Sequence, residues 1–270
     1  MTPPLPQEGR RSAPPPVLLL AGLDPSGGAG LALDLAVLRS LGIRGLPVPT
    51  SLTVQNLRRF REARAVEADL LERMVRAVLE EGPPRAVKVG LLAGPGQAVF
   101  LAGLLGEVLP EGIPLVVDPI LRASLASGEE GEREAALART LGEAFLPLGP
   151  ILTPNRPELS ALAGEEEEGA ARTLLERGAR AVVLKGGHRE EGAYAADRLY
   201  LPGGRVREFR RERDSLGEVH GTGCAFSSAL AGLLAAGWDL EAAVEQAGER
   251  TAGLRRTSLD LGGRARLLFP

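Results

Sequence analysis

The sequence predicts an α/β protein whose mostly parallel sheet is covered by helices on both faces. Short apolar runs alternate with segments of helical periodicity along most of the chain. The runs are continuously apolar, as expected for strands that are buried on both faces. With 270 residues, 44% hydrophobic and 25% charged, the chain has the composition of a globular protein. Because no linker or internal repeat interrupts the alternation, we expect a single domain over residues 16–270.

The predicted elements follow one another in a regular order. Each strand is a short apolar run that ends in a glycine, proline or polar residue, and several helices stop at such breakers, as at Gly42 and Gly82. The predicted strands are Val17–Ala21, Leu46–Val54, Ala86–Gly90, Leu115–Pro119, Gly149–Asn155 and Ala181–Gly187, followed by a small antiparallel hairpin near one sheet edge, Asp197–Tyr200 with Val206–Phe209. The predicted helices are Leu31–Leu41, Val66–Glu81, Gln97–Val108, Arg133–Phe145, Arg156–Ala163, Ala170–Arg177 and two long ones, at about 223–236 and 239–256.

Composition also limits the partners. Residues 1–15 are rich in proline and are expected to form a disordered tail, and the apolar run at Val17 is too short to span a bilayer. We therefore expect a cytoplasmic protein without a membrane partner. The net charge of −3 argues against nucleic acid as a partner. A single cysteine and two histidines exclude an internal disulfide framework and argue against a zinc site built from cysteines or histidines.

A glycine-rich loop follows the first strand. Gly22-Leu-Asp-Pro-Ser-Gly-Gly-Ala-Gly30 lies between this strand and a predicted helix, which is the opening of a βαβ unit. It has neither the G-x-G-x-x-G spacing of dinucleotide-binding proteins nor the lysine of a P-loop. Taken alone, the loop also fits a plain connector.

A second glycine loop, His220-Gly-Thr-Gly-Cys224, leads into a long helix of small residues. Such a junction directs backbone N–H groups and the positive end of a helix dipole at one point, which favours an anion. The dipole would also favour the thiolate of Cys224. The alternative is an ordinary helix N-terminus with a buried cysteine.

Three polar residues are predicted at the carboxyl ends of strands: Asp118, Asn155 and Lys185. In open α/β sheets this edge is where ligands bind, and Gly22 lies at the same end of the first strand. An acid, an amide, a lysine and a helix N-terminus are the groups that bind a nucleoside triphosphate with Mg²⁺.

Six stretches, in this order, resemble the hydroxymethylpyrimidine/phosphomethylpyrimidine kinases of thiamine biosynthesis, over about residues 17–250. They are Ala21–Gly30, Val87–Leu91, Val117–Ile120, Leu152–Glu158, Lys185–His188 and His220–Cys224. The resemblance implies a three-layer α/β/α ribokinase-like fold. It also implies transfer of the γ-phosphoryl group of ATP, with Mg²⁺, to a hydroxymethyl group, in many members a second transfer to the monophosphate, and a homodimer.

The resemblance also implies roles for individual residues. The substrate-binding positions are Gly22, Ala29, Asp34, Gln55 and Leu91. The metal positions are Asp118 and Glu158, and the ATP-binding positions are Asn155, Lys185 and Thr222. The catalytic positions are Cys224, Lys185, Gly221 and Gly223. Cys224 could act as a base for the substrate hydroxyl only if its pKa were lowered towards neutrality.

Two other functions remain open at this point. A sister kinase for pyridoxine or pyridoxal would act on a ring that also carries a hydroxymethyl arm. A catalytically reduced paralogue would bind pyrimidine phosphates as a regulator.

Overall fold

The computed structural model describes residues 15–121, 131–165, 167–186, 194–217, 219–262 and 266–270. Within them, nine strands form one sheet in the order β3-β2-β1-β4-β5-β6-β7-β8-β9. The strands are β1 (Pro16–Leu23), β2 (Arg44–Asn56), β3 (Arg59–Ala65), β4 (Ala86–Val89), β5 (Leu115–Val117), β6 (Ile151–Leu152), β7 (Ala181–Leu184), β8 (Tyr194–Leu201) and β9 (Arg205–Glu212). The six strands from β2 to β7 in this order pair in parallel, and β3, β8 and β9 are antiparallel to their neighbours.

Helices cover both faces of the sheet. Those of the described residues are α1 (Gly30–Ser40), α2 (Ala68–Leu79), α3 (Pro95–Val108), α4 (Gly131–Phe145), α5 (Arg156–Ala163), α6 (Glu167–Glu176), α7 (Thr222–Ala235) and α8 (Leu240–Arg256). One core packs α2 to α6 against one face of the sheet, and a second core packs α1, α7 and α8 against the other. Alternate residues of β1 enter the two cores, Leu18 on one face and Leu19 on the other. This two-sided burial is the physical reason why the strands are continuously apolar.

The predicted three-layer architecture, the mostly parallel sheet and the antiparallel hairpin β8–β9 are confirmed. Two features differ from the prediction. The edge strand β3 was not predicted, because its side chains are mostly charged and exposed and carry no apolar pattern. A small antiparallel pair near the end of the chain, β10 (Leu259–Asp260) with β11 (Arg266–Leu267), was also missed.

The topology brings the predicted polar residues to one edge of the sheet. Because β1, β4, β5, β6 and β7 are parallel, the residues that follow them emerge at the same edge. Helix α7 packs on β1, β4 and β5. The tail predicted for residues 1–15 lies, except for Pro15, outside the described residues. Among the described helices, none has the length and apolar character needed to cross a bilayer.

Candidate active site

The two glycine loops touch each other at the edge where the parallel strands end, and the space along this edge is named here the crevice. Gly221 caps the N-terminus of α7 with φ 86°, in the left-handed region that favours glycine. A Cβ atom at this position would collide with the carbonyl oxygen of Gly28 in the first loop. His220 Nε2 lies 3.7 Å from Asp24 Oδ2, so a second contact joins the same two loops. Only a residue without a side chain allows the N-terminus of α7 to approach the first loop this closely.

An open triad, defined here as Lys185, Asp118 and Ser227, lies beside this helix terminus. Lys185 Nζ donates a 2.7 Å hydrogen bond to Asp118 Oδ1, and Ser227 Oγ lies 3.1 Å from Asp118 Oδ2. Burial alone would raise the pKa of Asp118, but Lys185 and the more distant Lys88 outweigh burial and hold the pKa below its usual range. A Cβ atom on Gly223 would lie 3.2 Å from Lys185 Nζ, so the ammonium faces the first turn of α7, which begins at Thr222.

Glu158 and Asn155 extend the open triad on one side. They form a capping box at the start of α5, in which each side chain accepts a hydrogen bond from the other residue's backbone N–H. Glu158 Oε2 lies 3.9 Å from Lys185 Nζ. Burial, with Asp118 nearby, raises the pKa of Glu158 to about 7 against the opposing effect of Lys185. Two carboxyl groups and an ammonium therefore meet at the edge of the sheet.

Cys224 lies in the first turn of α7 and is 7% exposed. Burial raises the pKa of its thiol to about 11, although Lys88 and the backbone of Gly30 act in the opposite direction. The expectation that the helix dipole favours a thiolate is therefore wrong for this structure, because loss of hydration outweighs it. The condition for Cys224 to act as a base at neutral pH is not met.

The positions expected to contact the substrate lie mainly at the ends of β1 and β2. A Cβ atom on Gly22 would lie 3.0 Å from Leu91 Cδ2, so these two residues share one wall of the crevice. Ala29 is buried just before α1, and Gln55 lies half-buried near the end of β2, where it pairs with Phe60 of β3.

Asp34 requires a correction. It is fully buried in α1, where Asp34 Oδ2 accepts a 2.7 Å hydrogen bond from Lys88 Nζ and Oδ1 accepts a 2.6 Å bond from Ser228 Oγ. With both oxygens engaged and no exposed surface, Asp34 does not line the crevice as a substrate contact. These three residues are named here the buried triad.

Lys88 was missed as a functional candidate, although the sequence contains two signals for it. Among the 32 basic residues of the chain, Lys88 and Lys185 are the lysines and all others are arginines. Lys88 also interrupts an otherwise apolar strand, and a charge at such a position requires a buried partner. The partner, Asp34, is 54 residues away in the chain, so spacing alone gives no indication of it.

The crevice has the chemistry that a triphosphate and Mg²⁺ require. Among the described residues, no group of three or more His, Cys, Asp and Glu side chains suited to a metal occurs. The N–H groups of α7 and the ammonium of Lys185 attract phosphate oxygens. Mg²⁺ in nucleotide sites is usually bound by one or two carboxylates, such as those of Asp118 and Glu158, together with phosphate oxygens.

Comparison with known proteins shows the family and the fold of this chain. The family model described as phosphomethylpyrimidine kinase matches residues 24–267. A hydroxymethylpyrimidine/phosphomethylpyrimidine kinase of Rhizobium meliloti is 35% identical over 244 residues, covering 85% of this chain and 86% of that protein.

Two solved structures share the fold. The phosphomethylpyrimidine kinase of Clostridium difficile superposes with a TM-score of 0.73 at 28% identity, covering 88% of this chain and 98% of the other. The ADP complex of Bacillus subtilis pyridoxal kinase superposes with a TM-score of 0.83 at 26% identity, covering 94% and 96%. The ribokinase-like fold is thereby confirmed, and the chain belongs to the phosphomethylpyrimidine kinase family.

Proposed function

We propose that this protein transfers the γ-phosphoryl group of ATP to the hydroxymethyl group of 4-amino-5-hydroxymethyl-2-methylpyrimidine, and a second one to the resulting monophosphate. The observation that supports this most directly is the meeting of Lys185, Asp118 and the N-terminus of α7 at one edge of the sheet. The crevice wall of Gly22 and Leu91 lies at the same edge, where a flat ring can pack.

Phosphoryl transfer requires mainly positioning and charge stabilisation. In each proposed transfer, the bond between the γ-phosphorus and the bridging oxygen of ATP breaks. The new bond forms to the hydroxymethyl oxygen in the first transfer and to a phosphate oxygen of the monophosphate in the second. Lys185 and the N–H groups of Gly221 and Gly223 are expected to hold the transferring group and stabilise its negative charge. Asn155 and Thr222 are expected to lie against ATP. Mg²⁺, held by Asp118 and Glu158, would neutralise phosphate charge.

A neutral thiol at Cys224 is compatible with this chemistry. In a loose transition state, the attacking hydroxyl keeps its proton until the bond to the leaving oxygen is largely broken, so no strong base is needed early. The proton can then leave with the phosphate product. We therefore assign to Cys224 a contact role beneath the reacting hydroxyl and not that of a base.

A pyridoxal kinase is the second candidate, because the TM-score with the Bacillus subtilis pyridoxal kinase is the higher of the two given above. The family match and the 35% identity to the Rhizobium meliloti enzyme favour the pyrimidine. A regulatory paralogue is less favoured, because Lys185, Asp118 and the helix terminus still meet at the crevice, as transfer requires.

One assay separates the three functions. Purified protein with Mg-ATP is given the hydroxymethylpyrimidine, its monophosphate, pyridoxal or pyridoxine, and ADP and phosphorylated product are measured. We expect turnover with the pyrimidine and its monophosphate. Turnover confined to the pyridoxal compounds would reassign the substrate, and tight pyrimidine binding without ADP would indicate a regulator. Light scattering after size exclusion tests the expected homodimer.

A further inference from the structure

The buried triad places a complete ion pair inside the protein core. The side chains of Lys88 and Asp34 have no exposed surface, and their charged atoms are 2.7 Å apart. Apolar residues of similar volume often replace such a pair without loss of stability, so a buried pair is weak evidence for a role in stability. We therefore expect the Lys88–Asp34 pair to have a role besides stability.

The Lys88 ammonium lies towards the crevice rather than in the middle of the sheet. A Cβ atom on Gly90, which follows β4, would lie only 2.8 Å from Lys88 Nζ. Helix α7 packs on β4, and Ser228 of α7 donates its hydroxyl to the carboxylate that holds Lys88. The positive charge is thus beneath the first two turns of the helix that bears Cys224.

The charge of Lys88 also acts on two neighbouring residues, Cys224 and Asp118. Burial alone would lower the pKa of Lys88, but Asp34, followed by Cys224 and Asp118, outweighs burial and raises it, so the ammonium is retained. Lys88 in turn opposes the effect of burial on the pKa of Cys224, which stays raised, and helps to hold the pKa of Asp118 below its usual range. A fixed positive charge in a site without water has a much larger effect on developing negative charge than the same charge in solvent.

Resting on the proposed function, we infer that Lys88 is a positioning residue for phosphoryl transfer. Asp34 fixes its ammonium beneath α7, where it orients the Cys224 thiol and the helix terminus towards the reacting hydroxyl. Ser228 connects the ion pair to the helix. Lysine suits this place because its ammonium is compact, whereas the planar guanidinium of arginine, used elsewhere in the chain, needs a wider site.

Two variants test separately the charges of the Lys88–Asp34 pair and the hydrogen bond that joins this pair to α7. The double variant K88M/D34N removes both charges, while the amide that replaces the carboxylate keeps an oxygen that can accept from Ser228. We expect it to fold, since both members of the pair are neutralised together. Its kcat is expected to fall about tenfold or more, with KM values for ATP and pyrimidine within about threefold of the wild type, the pattern of an interaction made only in the transition state. Ser228→Ala keeps the ion pair and removes the connection, and we expect the same pattern with a decrease of about three- to tenfold.

Leu101→Ala is the matched control. Leu101 is fully buried in α3 on the opposite face of the sheet, so its truncation should lower Tm and leave kcat unchanged. A folded double variant with wild-type kcat would overturn the inference. If the double variant does not fold, wild-type kcat in Ser228→Ala overturns it instead. A wild-type protein that turns over none of these four compounds contradicts the proposed function itself, and with it this inference.

Discussion

The open triad and the buried triad contain the same three kinds of side chain, yet they differ in access. Each joins a lysine and an aspartate at 2.7 Å and connects them to neighbouring serines of α7. The Lys185 side chain is 16% exposed and Glu158 lies beside it, whereas the Lys88 and Asp34 side chains have no exposed surface. The comparison teaches that access decides the role. We expect the ammonium that can reach a phosphate, Lys185, to bind ligand, and the one that cannot, Lys88, to act through the helix.

The largest expected effect belongs to the open triad. Lys185→Met should lower kcat by about 10³, because it removes the charge that is proposed to contact the transferring phosphoryl group. Steady-state kinetics with Mg-ATP and the pyrimidine measure it, and circular dichroism checks the fold. If Lys185→Met lowered kcat less than K88M/D34N does, the buried triad would contribute more to turnover than the open triad.

The single variant Lys88→Met should reduce the unfolding free energy by about 3–5 kcal/mol, because it leaves the Asp34 carboxylate buried without a counter-charge. Urea denaturation measures the loss. The double variant K88M/D34N should recover most of it. If both variants were equally unstable, the loss would come from packing and not from the unpaired charge.

Cys224 lies in α7 one turn before Ser227 and Ser228, the serines of the two triads, and its thiol should react slowly. With a pKa of about 11, the thiolate fraction at pH 8 is about two orders of magnitude below that of a free cysteine. The rate of alkylation by iodoacetamide, followed by mass spectrometry, should be lower by at least that factor and should rise as the pH is raised. Rapid alkylation at pH 7 would show that the thiol is ionised at that pH, and would support Cys224 as the base.

The two lysines provide a direct test of access. Acetylation by an N-hydroxysuccinimide ester should modify Lys185 about tenfold or more faster than Lys88, since reaction at a buried amine requires local opening. Peptide mapping distinguishes the sites, and ATP should protect Lys185. Equal labelling of the two lysines in the folded protein would show that the reagent reaches the buried triad.

The smallest effect concerns pH and Glu158. Its pKa rises from 4.5 when unfolded to about 7 when folded, so between these values the native state binds more protons than the unfolded state. By linkage, stability from this group is fully present at low pH and decreases as the pH rises through this window. In metal-free buffer, Glu158→Gln should therefore gain about 2–3 kcal/mol relative to the wild type between pH 5 and pH 8. A constant difference in unfolding free energy would contradict the raised pKa.

The sequence was sufficient to predict the layers of the fold and the two residues of the open triad that follow strands. Asp118 and Lys185 each come directly after a buried apolar run, and parallel strands bring such residues to one edge. The buried triad was not predictable from spacing, because burial and partner choice for Asp34 depend on how α1, β4 and α7 pack. The pKa of Cys224 was also misjudged, since a helix terminus is visible in the sequence but the degree of burial is not.

The hydrogen bond from Ser228 to Asp34 has a consequence for biosynthesis. The two residues are separated by 194 positions in the chain. At a translation rate of about 5–20 residues per second, Asp34 leaves the ribosome about 10–40 seconds before its serine partner. Lys88, only 54 positions from Asp34, emerges much earlier and can neutralise the carboxylate in the meantime. The nascent chain can therefore wait with a neutral pair, and the hydrogen bond from Ser228 forms only after α7 has emerged.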